Sequence, residues 1–119
     1  MKDPAKLNIP NINFSISVDD ANRQKDFEKQ RIERGFDDSE TWNLYSTISK
    51  FIIPRLKQFK QISLTHPPEL TNEEWQEVLN KMIKSFEIAS DSDFMSEEDS
   101  DTFREGFNLF NEYFFALWW

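Results

Sequence analysis

Two pairs of carboxylates set three residues apart, Glu74 with Glu77 and Glu98 with Asp101, are the groups in this chain best spaced to do chemistry. Residues three apart share a helix face, and two such faces opposed can hold Mg²⁺ against a polyphosphate. Against that use, Glu74 is better placed as part of a helix cap, and Glu98 and Asp101 are expected to precede their helix. Chance matches are also common in a chain with 22 acids. The wider run Asp91, Asp93, Glu97, Glu98, Asp99 and Asp101 has neither the central Gly nor the closing bidentate Glu of a calcium loop. Nucleophilic chemistry lacks its parts, because there is no Cys and the one His, His66, sits beside two prolines and reads as a surface residue. Gly35 and Gly106 are the only glycines, so a glycine-rich phosphate loop is excluded. No catalytic residue, metal ligand or cofactor is assigned.

The elements that must carry these residues read as all-α. With 119 residues the chain fits a single domain. The expected architecture is a small bundle of three long helices plus a shorter charged N-terminal helix, over residues 19–119, preceded by an extended arm over residues 1–18. Ile12, Phe14, Ile16 and Val18 alternate with polar residues at strand period, yet no second strand of that quality follows. The arm is therefore expected in a groove between helices first, and paired with a copy of itself or a partner second.

Asp19-Asp20 caps a first helix that ends near Arg34 at Gly35, and its apolar content, chiefly Phe27 and Ile32, is thin. A second helix is predicted to start within Asp37–Glu40 and to bury the stripe Trp42, Tyr45, Ile48, Ile52, Leu56 and Phe59, passing through Pro54 with a kink. Lys50, Arg55, Lys57 and Lys60 make a basic patch on it, read as solvated or as pairing with the acidic 91–101 segment. Thr71 and Glu74 form the capping box of a third helix, with Leu70 stapled to Trp75 and a stripe of Trp75, Val78, Leu79, Met82, Ile83 and Phe86. A last helix carries Phe103, Phe107, Phe110, Phe114 and Leu117, widened by Leu109, Tyr113, Ala116, Trp118 and Trp119. So much apolar surface predicts a central helix or one shared with a second copy. Gly106 within it predicts the close approach of another backbone.

Charge is uneven. Residues 1–60 hold 11 basic and 9 acidic groups, and residues 61–119 hold 3 and 13. The net charge of −8 argues against a nucleic-acid groove. Residues 105–119 have no Lys or Arg, unlike an interfacial helix, and no stretch is apolar enough for a bilayer or a signal peptide. A soluble, cytoplasmic protein is expected. The surface expected to meet a partner is the acidic second half, Glu73, Glu77, Glu87, Asp91, Asp93, Glu97, Glu98, Asp99 and Asp101, together with the arm. The aromatic C-terminal helix is suited to homodimerisation.

Three blocks resemble a set of small helical proteins encoded by bacteriophages and prophages. They are Gly35-Phe36-Asp37-Asp38-Ser39-Glu40-Thr41-Trp42-Asn43-Leu44 continuing to Phe51-Ile52-Ile53-Pro54-Arg55-Leu56-Lys57-Gln58-Phe59, then Leu70-Thr71-Asn72-Glu73-Glu74-Trp75 with Lys81-Met82-Ile83 and Phe86-Glu87, then Glu105-Gly106-Phe107-Asn108-Leu109-Phe110 with Tyr113-Phe114 and Leu117-Trp118. Tyr45 and Asn80 depart from the usual pattern, where acids are commoner, and so does Pro67-Pro68. The resemblance implies a protein-binding module that works in the cytoplasm of an infected or lysogenic bacterium. Its partner would be a host or phage protein, an instance being a nucleic-acid-binding defence effector such as a CRISPR nuclease. The spacing of Glu74, Glu77, Glu98 and Asp101 is in turn similar to that of the all-helical nucleotide pyrophosphohydrolases, which implies an Mg²⁺-dependent enzyme as the competing class.

Overall fold

Gly35 marks the first boundary the sequence dictates: it sits at φ 87°, a left-handed conformation that costs a Cβ-free residue nothing, and its N–H closes the last turn on the Arg31 carbonyl at 2.9 Å. The computed structural model describes residues 14–16, 20–90 and 95–119. Among these the regular structure is all helical: α1 (Ala21–Arg34), α2 (Leu44–Ile62), α3 (Asn72–Ser90) and α4 (Glu97–Glu112), with short 3₁₀ turns at Asp38–Thr41 and Phe114–Ala116. The chain divides into two units, Met1–Thr47 and Ile48–Trp119, and the division falls inside α2.

In the first unit, Asp20 caps α1 by accepting from the N–H groups of Asn22 and Arg23. Phe27 is the one buried residue of α1, so apolar burial does little for this helix. Charged contacts do more. Arg31 Nη1 lies 2.6 Å from both Asp37 Oδ2 and Ser15 Oγ, and Arg34 pairs with Asp38 at 2.7 Å while lying over the Phe36 ring.

The Asp37–Glu40 cluster caps the 3₁₀ turn rather than opening the second helix, which begins only at Leu44. Asp37 Oδ1 accepts from Ser39 N at 2.8 Å, and Glu40 Oε2 accepts from Asp37 N at 2.7 Å. The same acceptors hold the described part of the arm: Phe14 N donates to Glu40 Oε1 at 2.7 Å, Ile16 N donates to Ser39 Oγ at 2.9 Å, and Ser15 Oγ donates to Asp37. The Phe14 and Ile16 N–H groups are thus satisfied by side chains. The remaining arm positions lie outside the described residues.

In the second unit one core joins α2, α3 and α4. Its fully packed members are Leu56, Trp75, Leu79, Met82, Ile83 and Phe86, all from α3 except Leu56. The predicted α3 stripe is therefore buried, apart from a half-buried Val78, and each large side chain contributes about 1.5–3 kcal/mol. Thr71 and Glu74 make the predicted box, with bonds of 2.9 and 3.1 Å, and Leu70 packs on the cluster that holds Trp75. Trp75 Nε1 has no hydrogen-bond partner among the described residues, so the ring is held by packing and by Tyr113, edge-on at 5.7 Å.

Two expectations are corrected here. The α2 stripe is buried only in its second half, where Ile52, Leu56 and Phe59 meet the core; Trp42, Tyr45 and Ile48 are 70%, 51% and 51% exposed. Helical spacing sets a stripe, but burial needs an element opposite it. The central helix is α3, not the last one: α4 buries only Gly106 fully and uses the Leu109, Phe110 and Tyr113 side against the core. α2 runs through Pro54 as one helix, as predicted. Among the described residues, no helix is long and apolar enough to cross a membrane.

Candidate interaction surface

The pairing of α3 with α4 decides where the acidic side chains of these two helices go. A Cβ at Gly106 would collide with the Lys81 carbonyl and lie 2.6 Å from Ser85 Cβ, so these backbones touch here. Ser85 Oγ donates to the Phe103 carbonyl at 2.7 Å, and Lys81 Nζ pairs with Glu105 at 2.8 Å. Rising numbers in α3 meet falling numbers in α4, so the two helices form an antiparallel hairpin.

That register sorts the predicted partner-binding residues into two groups. Glu87, Glu97, Glu98, Asp99 and Asp101 share the end where α3 stops and α4 starts, and all five are exposed. Glu73 and Glu77, also exposed, sit at the other end with Glu69, Glu74 and Glu112. At about 1.5 Å per residue, Glu73 and Glu87 lie roughly 21 Å apart along α3. Asp91 and Asp93 lie outside the described residues. None of the five acids at the turn end pairs with a base among the described residues.

Local sequence explains the turn end. Ser96 accepts from Asp99 N at 3.1 Å and caps α4, placing Glu97, Glu98 and Asp99 in its first turn, where the helix dipole favours negative charge. Glu98 and Asp101 consequently lie inside α4 and not before it, a correction to the sequence reading. The hydrolase quartet still does not assemble. Glu74 is engaged by the cap, and the register sets Glu77 near residues 109–110, about 17 Å along α4 from Glu98. Among the described residues no three carboxylate or His side chains stand together as a metal site.

Comparison with protein-family models, curated proteins and solved structures finds no match.

Among the described residues no ion pair joins Lys50, Arg55, Lys57 or Lys60 of the basic patch on α2 to an acid; Asp91 and Asp93 of the acidic segment lie outside them. Arg55 instead covers the Phe51 ring at 3.8 Å and donates to the Phe51 carbonyl at 2.8 Å.

At the far end of the hairpin the chain leaves α4 in the Phe114–Ala116 turn. Leu109, Phe110, Tyr113, Ala116 and Leu117 meet the core, but Phe115, Trp118 and Trp119 are 91%, 65% and 70% exposed. Phe115 and Trp118 border a groove of about 500 Å³ whose walls include His66, Glu69, Glu112 and Tyr113. Thr65 Oγ1 donates to the Trp118 carbonyl at 3.3 Å, tying the proline loop to the C-terminal turn. Burial, reinforced by the charges of Glu112, Glu69 and Glu74, pushes the Tyr113 phenol above its ordinary value. The signal in the sequence was the terminal aromatic run itself, read as core or dimer surface and not as a groove wall.

Proposed function

We propose that this chain is a non-enzymatic, phage-encoded binding protein that antagonises a bacterial defence effector through its acidic hairpin end. The observation that supports this reading best is the set Glu87, Glu97, Glu98, Asp99 and Asp101, exposed and without basic partners among the described residues, at one end of the α3–α4 hairpin. Carboxylates held on rigid helix ends offer a basic nucleic-acid groove a negative surface where phosphates would lie. The phage resemblance of residues 35–119 supplies the biological setting, the cytoplasm of an infected or lysogenic cell.

The test is plasmid interference in bacteria that carry a CRISPR nuclease. Expression of the chain is expected to restore transformation by a targeted plasmid, and a variant with Glu87, Glu97, Glu98→Gln and Asp99, Asp101→Asn is expected to lose that protection while keeping the helix content of the wild type by circular dichroism. Pyrophosphate released from a nucleoside triphosphate with Mg²⁺, and abolished by Glu77→Gln, would overturn the reading in favour of the hydrolase.

A further inference from the structure

The groove at the opposite end of the hairpin, beside the C-terminus, has a composition that the acidic-end reading does not use. Its walls put aromatic rings next to carboxylates: Tyr113, Phe115 and Trp118 from the C-terminal turn, Glu112 from the end of α4, and Glu69 with His66 from the proline loop. No Lys or Arg lines it among the described residues. Pro67 is buried and Leu70 N bonds the Pro67 carbonyl at 3.0 Å, so the loop wall is fixed from beneath. The opposite wall is fixed by Tyr113 against buried Trp75 and by Thr65 on the Trp118 carbonyl. Burial first, and the charges of Glu112, Glu69 and Glu74 after it, hold the Tyr113 phenol above its ordinary value.

Aromatic faces attract cations through their quadrupole, and carboxylates at the rim add charge and hydrogen-bond acceptors. Arginine answers both features together, since its planar guanidinium stacks on a ring while its edge N–H groups meet a carboxylate. A nucleic acid is excluded by sign, and a purely apolar helix would leave Glu69 and Glu112 buried without partners.

We propose that this groove binds an arginine-bearing segment of a partner polypeptide, the guanidinium stacking on the Phe115 and Trp118 rings and pairing with Glu69 and Glu112. The proposal is independent of the acidic hairpin end and of any role in defence.

The test uses the full chain and a fluorescein-labelled nonapeptide of Gly and Ser carrying two arginines, with a second peptide in which citrulline replaces both. Anisotropy is expected to show saturable binding of the arginine peptide, with the citrulline peptide at least roughly fivefold weaker. Trp118→Ala and the double change Glu69→Gln, Glu112→Gln should each weaken binding by about fivefold or more, whereas Glu98→Gln with Asp101→Asn leaves it unchanged. All of these side chains are exposed, so thermal melts should stay at the wild-type value. Absence of saturable binding, equal affinity for the citrulline peptide, or equal loss from the Glu98 and Asp101 changes would each overturn the proposal. A dimer abolished by Trp118→Ala and undisturbed by the arginine peptide would assign the groove to a second copy, and would overturn it as well.

Discussion

Gly106 shows how much one residue can hold. Replacing an interior helix Gly by Ala ordinarily gains about 1 kcal/mol of helix propensity. At this position the new methyl would meet the Lys81 carbonyl and lie 2.6 Å from Ser85 Cβ, so α3 and α4 would have to part. Gly106→Ala is expected to lose roughly 1–3 kcal/mol net, read from urea unfolding, because overpacking outweighs propensity. A gain would mean the helices do not touch there. Asp37 is the second such residue. Burial pushes its carboxyl up, but hydrogen bonds from Ser15, Ser39 and Arg31 outweigh burial and hold it below its ordinary value. A group depressed in the folded state stabilises fully above its unfolded pKa, about 4, and loses that contribution as pH falls through the lower folded value. Protection factors of the α1 amides, which take out the intrinsic pH dependence of exchange, should therefore be steady from neutral pH down to about 4 and fall below it. Asp37→Asn should accelerate that exchange at pH 7, equivalent to about 3 kcal/mol, the cost of stranding the Arg31 charge, and should flatten the acid limb. The capping chemistry of residues 37–40 was legible in the sequence, but it was assigned to the start of the second helix and not to a 3₁₀ turn. The contacts of Asp37 with Arg31 and Ser15 were not legible, because nothing in local spacing indicates which side chains converge from 6 and 22 residues away.

Helix ends were legible because they are chemical events of a few residues: Asp20 at the start of α1, Gly35 at its end, and Thr71 with Glu74 at the start of α3. The α4 start was misplaced for the same local reason. A dense acidic run reads as solvent-facing turn, yet Ser96 followed by acids is also what a helix N-terminus favours. Stripes were legible as stripes, but their burial depends on what stands opposite. Ile48 and Leu56 lie on one predicted α2 stripe two turns apart, and the structure exposes the first to 51% and the second to 3%. Leu56→Ala is accordingly expected to cost about 2–5 kcal/mol in chemical denaturation, as core truncations do. Ile48→Ala should change stability by less than about 0.5 kcal/mol, the usual range for surface sites. Similar losses at the two sites would show that both halves of the stripe are packed.

On the scale of the molecule, the sequence displayed an acidic second half, but only the antiparallel hairpin divides that charge between two ends. Glu69, Glu73, Glu74, Glu77 and Glu112 gather at one, and Glu87 with Glu97–Asp101 at the other. Lys81 with Glu105 is the ion pair between α3 and α4 among the described residues, and an exposed bridge of this kind offsets little repulsion. Neighbouring carboxylates within each end stand inside the screening length of about 10 Å at 0.1 M salt, so added salt should weaken their repulsion within the fold. Raising NaCl from about 0.02 to 0.5 M is expected to raise the melting temperature by a few degrees. The same screening must slow capture of any basic partner, whose association the negative field accelerates. Fold stability and partner affinity should therefore move in opposite directions with salt. A melting temperature that falls as salt rises would mean that favourable ion pairs outweigh repulsion in the fold. The acidic ends would then be internally compensated, and the field argued to draw a basic partner would be too weak to do so.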